Sequence, residues 1–448
     1  MIRVVIMFKR KIYDRILEWK NTSQGKTALL IEGARRVGKS TVVEEFVKRE
    51  YESYILVDFY TASQATKELF NDLSDINYIF LQLQLTYQTS LVERKSCIVF
   101  DEVQLCPQAR QAIKALVKDG RYDYIETGSL ISIHKNVKNI LIPSEERKIH
   151  MYPMDYEEFK WALDDYVSIN IIKQFYDDKK PIGQGLHRKL MRDFRLYMLV
   201  GGMPQAVTIY IETNDLSKVD KVKRDILTLY EDDFRKIDPS GRLSALFDAI
   251  PAQLMGNTSR YKVSSVLSGT RPSQILEQIS ELKDSGTVNV AYNVNDPGVG
   301  MAQFKNLEKF KLFTADTGLF ITLAFKDKQF TENDIYTRIL NDKLQTNLGY
   351  VYENMVAQML ATNGHELYYH TFLNEKSKHN YEIDFLISEK NKICPIEVKS
   401  SGYKNHASID AFSQKYSSRI ARKILIYTKD YLHEGDMYYL PIYMTQFL

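Results

Sequence analysis

Gly33-Ala34-Arg35-Arg36-Val37-Gly38-Lys39-Ser40 has the spacing G-x-x-x-x-G-K-S. An apolar run, Thr27–Glu32, precedes it and a helical run, Lys39–Arg49, follows. A strand that turns through glycines directly into a helix is one half of a strand–helix–strand crossover, so this part of the chain is committed to a parallel α/β sheet. The two glycines let the backbone curl until its N–H groups point inward around an anion, and the helix that opens at Lys39 adds the positive end of its dipole. Gly33 through Ser40, with Thr41 behind them, form a phosphate cradle. In it the Lys39 ammonium reaches the β- and γ-phosphates and the Ser40 hydroxyl can ligate Mg²⁺.

The same alternation continues to about residue 160. Strands are expected at Tyr54–Phe59, Ser96–Asp101, Tyr122–Thr127 and Lys148–Tyr152, with helices between them, Pro107–Lys118 among these. Cys97-Ile98-Val99-Phe100-Asp101-Glu102 is four apolar residues followed by two acids. A buried strand delivers carboxylates at its C-terminal end, which is where ligands sit in open parallel sheets. Asp101 is positioned to hold Mg²⁺ and Glu102 to polarise an attacking water. Thr127-Gly128-Ser129 ends the next strand in hydroxyls, and either Thr127 or Ser129 could sense the γ-phosphate.

The remainder of the 448 residues excludes several classes. The composition, 44 % hydrophobic and 26 % charged, is that of folded domains, and no run is long enough to cross a bilayer as a helix. The apolar start, Met1–Met7, is too short for a signal segment. Three cysteines without a CxxC pair argue against a disulfide frame or a cysteine zinc site and for a cytoplasmic setting. A net charge of +3 means that any basic surface is local. Two basic stretches stand out: Arg188, Lys189, Arg192 and Arg195, read as a solvated face, and Lys399, Lys404, Lys415, Arg419, Arg422 and Lys423, which suit phosphate contact or a solvated face equally.

Between Val167 and Lys236 the pattern is helical, broken at Gly201-Gly202-Met203-Pro204. Helical pieces at Val263–Leu267 and Pro272–Lys283, followed by a strand at Thr287–Tyr292, have the order of a winged helix. From Leu340 the α/β texture returns. Here Glu382-Ile383-Asp384 and Ile396-Glu397-Val398-Lys399 fall on two strands joined by a tight turn. Asp384 and Glu397 are expected on one face, with Lys399 two residues beyond Glu397 on the same side. With Glu353 on the preceding helix, this is the PD-(D/E)xK layout, with carboxylates for a second divalent metal and a lysine to position water. Ile383 stands where the usual proline would be. The same alternation also describes a half-exposed hairpin without chemistry.

The chain resembles a prokaryotic family of AAA-type P-loop ATPases with a C-terminal restriction-endonuclease-like domain of unknown function. The resemblance rests on GARRVGKST (33–41), FDEVQ (100–104), TGS (127–129), YPMDYEEF (152–159), GGMPQAV (201–207), KLFTADTGL (311–319), YENMVA (352–357) and EIDF…IEVKSSG (382–402). It departs at Ile142–Arg147, where a Gly-Arg pair is expected and only Arg147 keeps the arginine. It implies ATP as ligand and an α/β architecture in three parts: an AAA-type domain over 1–165, a helical and winged-helix-like region over 166–330, and a restriction-endonuclease-like domain over 331–448. The combined expectation is Mg²⁺-dependent ATP hydrolysis by a nucleotide-controlled motor or switch that acts on DNA or another nucleic acid, with an oligomer open and no membrane partner. Two alternatives stand beside it: an interaction ATPase whose end domain only binds a protein partner, and an ATP-regulated, metal-dependent nuclease.

Overall fold

The computed structural model describes residues 7–129, 144–256, 258–327, 333–341, 349–374 and 379–448. Met1–Ile6, Ile142 and Pro143, about which the sequence raised expectations, lie outside the described residues. The chain divides into two units, Met1–Tyr152 with Asp284–Gly286, and Pro153–Lys283 with Thr287–Leu448.

The first unit is built on five parallel strands: β1 (Ala28–Gly33), β2 (Ser53–Asp58), β3 (Ser96–Asp101), β4 (Asp123–Ser129) and β5 (Glu146–His150), in the order β2-β3-β4-β1-β5. Every residue of β3 is buried, as an unbroken apolar run in a sheet covered on both faces requires. The edge strand β5 instead exposes Arg147 and Lys148. Phe59, Phe70 and Phe100 pack with ring centroids 5.2–5.9 Å apart and fix the helices below β2 and β3. Because β1, β4 and β3 are neighbours and run the same way, their C-terminal ends open on one edge of the sheet.

The second unit begins with helices. Asp155 and Glu158 form a capping box: Glu158 N–H donates to Asp155 Oδ1 at 2.9 Å, and Asp155 N–H to Glu158 Oε2 at 3.2 Å. Gly201 and Gly202 separate helices Gln184–Val200 and Pro204–Thr213. A Cβ on Gly201 would stand 2.4 Å from Asp316 Oδ1, and one on Gly318 would stand 2.5 Å from Gly201 Cα. The GGMPQAV and KLFTADTGL segments therefore meet at these glycines. Asp316 joins them, accepting from Gly202 N–H at 2.5 Å and from Leu319 N–H at 2.8 Å.

An eight-stranded mixed sheet completes the unit. Its strands are β6 (Val288–Val294), β7 (Lys305–Thr314), β8 (Tyr368–Leu373), β9 (Asn380–Glu389), β10 (Lys392–Lys399), β11 (Lys423–Tyr427), β12 (Leu432–Glu434) and β13 (Met437–Pro441), in the order β12-β13-β11-β10-β9-β8-β6-β7. Helix Val263–Val266, a 3-10 turn at Pro272–Gln274 and helix Leu276–Asp284 precede the β6–β7 hairpin. The element order is the one expected of a winged helix. The hairpin, however, is not free: β6 pairs with β8 in parallel, at Tyr292↔Tyr368 and Asn293↔Tyr369. One sheet thus draws strands from both sides of residue 330, and the two units part at Tyr152/Pro153, whereas the sequence reading sets its divisions at 165 and 330.

Candidate functional site

The phosphate loop begins at the end of β1 and closes at the start of helix Lys39–Glu50. Gly38 has φ +97° and Arg36 φ +72°, so the turn is made by two left-handed residues, one of which is not glycine. Gly33 is needed for a different reason: a Cβ there would stand 2.3 Å from the Met151 carbonyl oxygen, which follows β5 across the loop. The buried Arg10 braces the loop from behind, donating to Val37 O and to Tyr152 O, each at 2.8 Å. Lys39 is buried, and its Nζ donates to Gly33 O and Ala34 O, both at 3.0 Å. Burial pulls its pKa down to about 8, against the pull of Glu102 and Asp101.

Asp101, Glu102 and Thr127 come together beside this loop. Ser40 Oγ donates to Asp101 Oδ1 at 2.8 Å, and the buried Thr127 hydroxyl donates to the same oxygen. One carboxylate thus touches both the first turn after the loop and the end of β4. Glu102 sits at φ +54°, and its N–H donates to Thr127 Oγ1 at 3.4 Å. Its carboxylate accepts from the amide of buried Gln104. Strain of this kind at a strand end is kept where a side chain must be aimed. Of the two hydroxyls left open by sequence, Thr127 is the one on Asp101. Ser129 pairs with Gly33 in the β4–β1 register, and its side chain is outside the described residues. Gln104 and Arg10 were not singled out from sequence. Gln104 lies within the FDEVQ segment, whereas nothing in the sequence around Arg10 marks it.

In the second unit the carboxylates cluster as well. The antiparallel β9–β10 register runs as far as Ile396↔Phe385, so Asp384 and Glu397 both lie just beyond the last paired residues at the same end of the two strands. Asp384 Oδ2 accepts from Val398 N–H at 2.8 Å. Glu353, on helix Gly349–Thr362, brings its carboxylate to Glu382 and Asp384, one oxygen of each lying within 4.8 Å of the others. Lys311, on β7, is buried against them, donating to Glu353 Oε1 at 2.7 Å and to Glu382 Oε1. Burial lowers the Lys311 pKa, but Glu353, Glu382 and Asp384 outweigh it and hold the ammonium well above its usual range. Burial and Glu353 push the Asp384 carboxyl well up, with Lys311 opposing. Lys399 Nζ pairs with Glu397 Oε1 at 2.7 Å, and the other Glu397 oxygen is buried with no partner among the described residues. Glu382 and Lys311 are the two members that sequence reasoning missed. Glu382 is two residues before Asp384 on the same strand face, and Lys311 opens the KLFTADTGL segment.

The basic stretch at 399–423 is largely spent on neighbours. Arg422 pairs with Glu389 at 2.8 Å, Lys423 with Asp436 at 2.9 Å, and Arg419 with Asp296. Arg188, Lys189 and Arg192 are exposed on their helix, whereas Arg195, the fourth residue of that stretch, is half-buried and donates to the Tyr352 hydroxyl at 3.2 Å. Among the described residues no helix is long and apolar enough to cross a membrane.

Residues 25–160 match the AAA domain family. Residues 191–329 and 348–445 match two domains of unknown function, DUF8612 and DUF4143. No curated protein matches the chain. Among solved structures, a Walker-type ATPase of Pyrococcus abyssi is 17 % identical, covering 71 % of this chain and 96 % of its own, with a TM-score of 0.41. Cdc6p from Pyrobaculum aerophilum is 12 % identical over 77 % and 98 %, with a TM-score of 0.27. The RuvB Holliday junction branch migration motor of Thermotoga maritima is 12 % identical over 63 % and 89 %, also at 0.27. With its glycine loop, lysine and strand-end acids on one sheet edge inside the matched segment, the chain is an AAA-type P-loop ATPase whose C-terminal domain is of a kind without assigned function.

Proposed function

We propose that this ATPase is Mg²⁺-dependent and serves as a nucleotide-controlled switch that acts on nucleic acid from the cytoplasm, with the segments 1–165, 166–330 and 331–448 as its working parts. The observation that carries the switch is the single Asp101 oxygen shared by Ser40 and Thr127. A change at the phosphate loop cannot reach Asp101 without being felt at the end of β4. Gly33 through Thr41 hold the nucleotide, Ser40 and Asp101 offer the hard oxygen donors that suit Mg²⁺, and Glu102 holds the attacking water. Bound there, Mg²⁺ supplies charge neutralisation for the phosphates. Lys39 exchanges its bonds to the Gly33 and Ala34 carbonyls for phosphate oxygens.

Lys39 gives this reading a pH signature. Its pKa of about 8 in the free loop rises when phosphate is bound, so binding takes up a proton above that pH. Affinity for ATP–Mg is therefore level from about pH 7 to 8 and falls by up to about tenfold per pH unit above it. Titration calorimetry across this range checks the sign. Affinity that stays constant to about pH 9 would remove Lys39 from the phosphate.

Action on nucleic acid is tested by turnover. Single-stranded or duplex DNA, or RNA, is expected to raise ATP hydrolysis several-fold in the wild type and not in Glu102→Gln. If ATP binds and none of these polymers changes its turnover, the interaction ATPase becomes the reading. The nuclease reading is favoured by one feature of the second unit, the buried Glu397 oxygen near Asp384 that has no partner among the described residues. Glu353, Glu382, Asp384 and Glu397 together offer the oxygen set of a second divalent cation, with Lys399 next to it to position water.

A further inference from the structure

Beside the carboxylate cluster an open cavity of about 600 Å³ is lined by Thr258, Arg260, Lys262, Lys309, Thr371 and Asn380, among others. Among the described residues its lining includes three cations and no acid. Among the described residues none of the three cations has a carboxylate within ion-pair distance, whereas Arg419, Arg422, Lys423 and Lys326 each have one. Hydroxyls and an amide fill the rest of the rim. A cavity so composed favours a hydrogen-bonded anion over an apolar ligand.

The backbone fixes this composition in place. Tyr261 N–H donates to Phe310 O at 2.7 Å, its ring stacks on Phe310 with centroids 5.9 Å apart, and its hydroxyl donates to Leu246 O at 2.7 Å. Arg260 and Lys262, the two exposed neighbours of this buried anchor, are thereby held at the cavity. Of the other lining residues, Thr371 pairs with Glu382 across β8 and β9, and Asn380 lies two residues before Glu382. Asn380, Glu382 and Asp384 follow one another on a single sheet face. The cation pocket and the carboxylate cluster are thus consecutive stations along the same strand. Arg260 and Glu382 both act on Tyr369, whose hydroxyl burial raises, Lys311 and Arg260 pull back and Glu382 raises again.

We propose that this pocket binds the phosphodiester backbone of a nucleic-acid strand and presents the adjoining phosphodiester to the Glu382–Asp384 face. A chain of regularly spaced anions meets both stations, one through the cations and the other through the cation that the carboxylates can hold. A free phosphate fills only the first. An acidic protein segment would also meet the cations, but its carboxylates carry no reacting group toward the second station. The proposal rests on the reading that the chain acts on nucleic acid, and it supplies the substrate class and the point of entry.

Binding of fluorescently labelled single-stranded DNA and RNA oligonucleotides to the full chain, followed by anisotropy over a range of salt, tests it. The pair Arg260→Glu with Lys309→Glu is expected to weaken both by about tenfold or more and to flatten the salt slope by about 0.7 for each phosphate no longer neutralised. Lys262→Gln, a milder change at the same rim, gives a smaller loss in the same direction, with its melting profile unchanged. Loss confined to DNA or to RNA supports the pocket and names the polymer. If the wild type binds both polymers and the variants bind equally well with the same slope, the pocket is not the site, while the nucleic-acid reading survives. If the wild type binds neither, both fall, and capture of a poly-glutamate peptide by the wild type but not by the variants would assign the pocket to acidic protein instead.

Discussion

Glu102→Gln is expected to keep ATP–Mg binding and to slow hydrolysis by about 10²–10⁴-fold, the range of a positioned general base. The geometry makes the substitution a clean one. Gln104 donates to Glu102 Oε2, and a glutamine at 102 still offers an oxygen to that amide. The strained φ of +54° and the hydrogen bond from the 102 N–H to Thr127 belong to the backbone and do not depend on the side chain's charge. What is lost is the capacity to draw a proton from water. Binding is read separately, since ATP–Mg at about 100 times Kd stabilises the folded unit by roughly 2.7 kcal/mol. Glu102→Gln should show that shift in full, and Lys39→Ala should not. Single-turnover hydrolysis by Glu102→Gln at the wild-type rate would give the water to another residue. A low wild-type rate in isolated chains fits a missing trans arginine, which is worth about 10³–10⁵ in kcat in related chemistry.

Much of the nucleotide site could be read in advance because its parts are local. Gly33 to Thr41 is one turn, and Asp101 and Glu102 end a strand whose apolar run is unbroken. Even there the reason for a residue was not always legible. Gly33 looked like a hinge for the loop, yet it faces the Met151 carbonyl, and that approach depends on a strand more than a hundred residues later. Long-range pairing also explains what was missed in the second unit. Lys311 is a buried lysine on β7, a strand the sequence reading did not place, and only the β6–β8 pairing brings it under Glu353 and Glu382. Asn354, beside Glu353, accepts from Thr314 N–H at 2.8 Å and so ties the helix to that strand, a role invisible in YENMVA as a string. The cation pocket was missed for the same reason. Its charges come from residues 260, 262 and 309 and its polar wall from 371 and 380, whereas the dense run at 399–423 that drew attention is mostly neutralised by Glu389, Asp436 and Asp296.

Lys311→Met should have the largest effect on stability. Methionine keeps the length and volume of the stem but leaves Glu353, Glu382 and Asp384 without their ammonium. Breaking one side of a buried pair costs about 3–5 kcal/mol, because the remaining charges stay desolvated. The pH dependence follows from the carboxylates. Burial, and for Asp384 then Glu353, already raises the pKa of Asp384 and Glu382, so these groups favour the fold while protonated and lose that contribution as pH rises from their unfolded values through their folded ones. Removing Lys311 enlarges the raise, and the deficit of the variant grows as pH rises above the unfolded carboxylate range of about 4. Divalent cation then separates two meanings of the cluster. If the four carboxylates are a ligand set for which Lys311 stands in, Mn²⁺ restores the melting temperature of Lys311→Met at neutral pH and does much less for the wild type, where it must displace the ammonium. Asp384→Asn in the same background removes that rescue, and in the wild-type background it abolishes Mn²⁺-dependent nicking of plasmid DNA. If low pH restores Lys311→Met and Mn²⁺ does not, the cluster is an ion-pair network that holds helix Gly349–Thr362 to β7 and β9. The domain would then bind nucleic acid without cutting it.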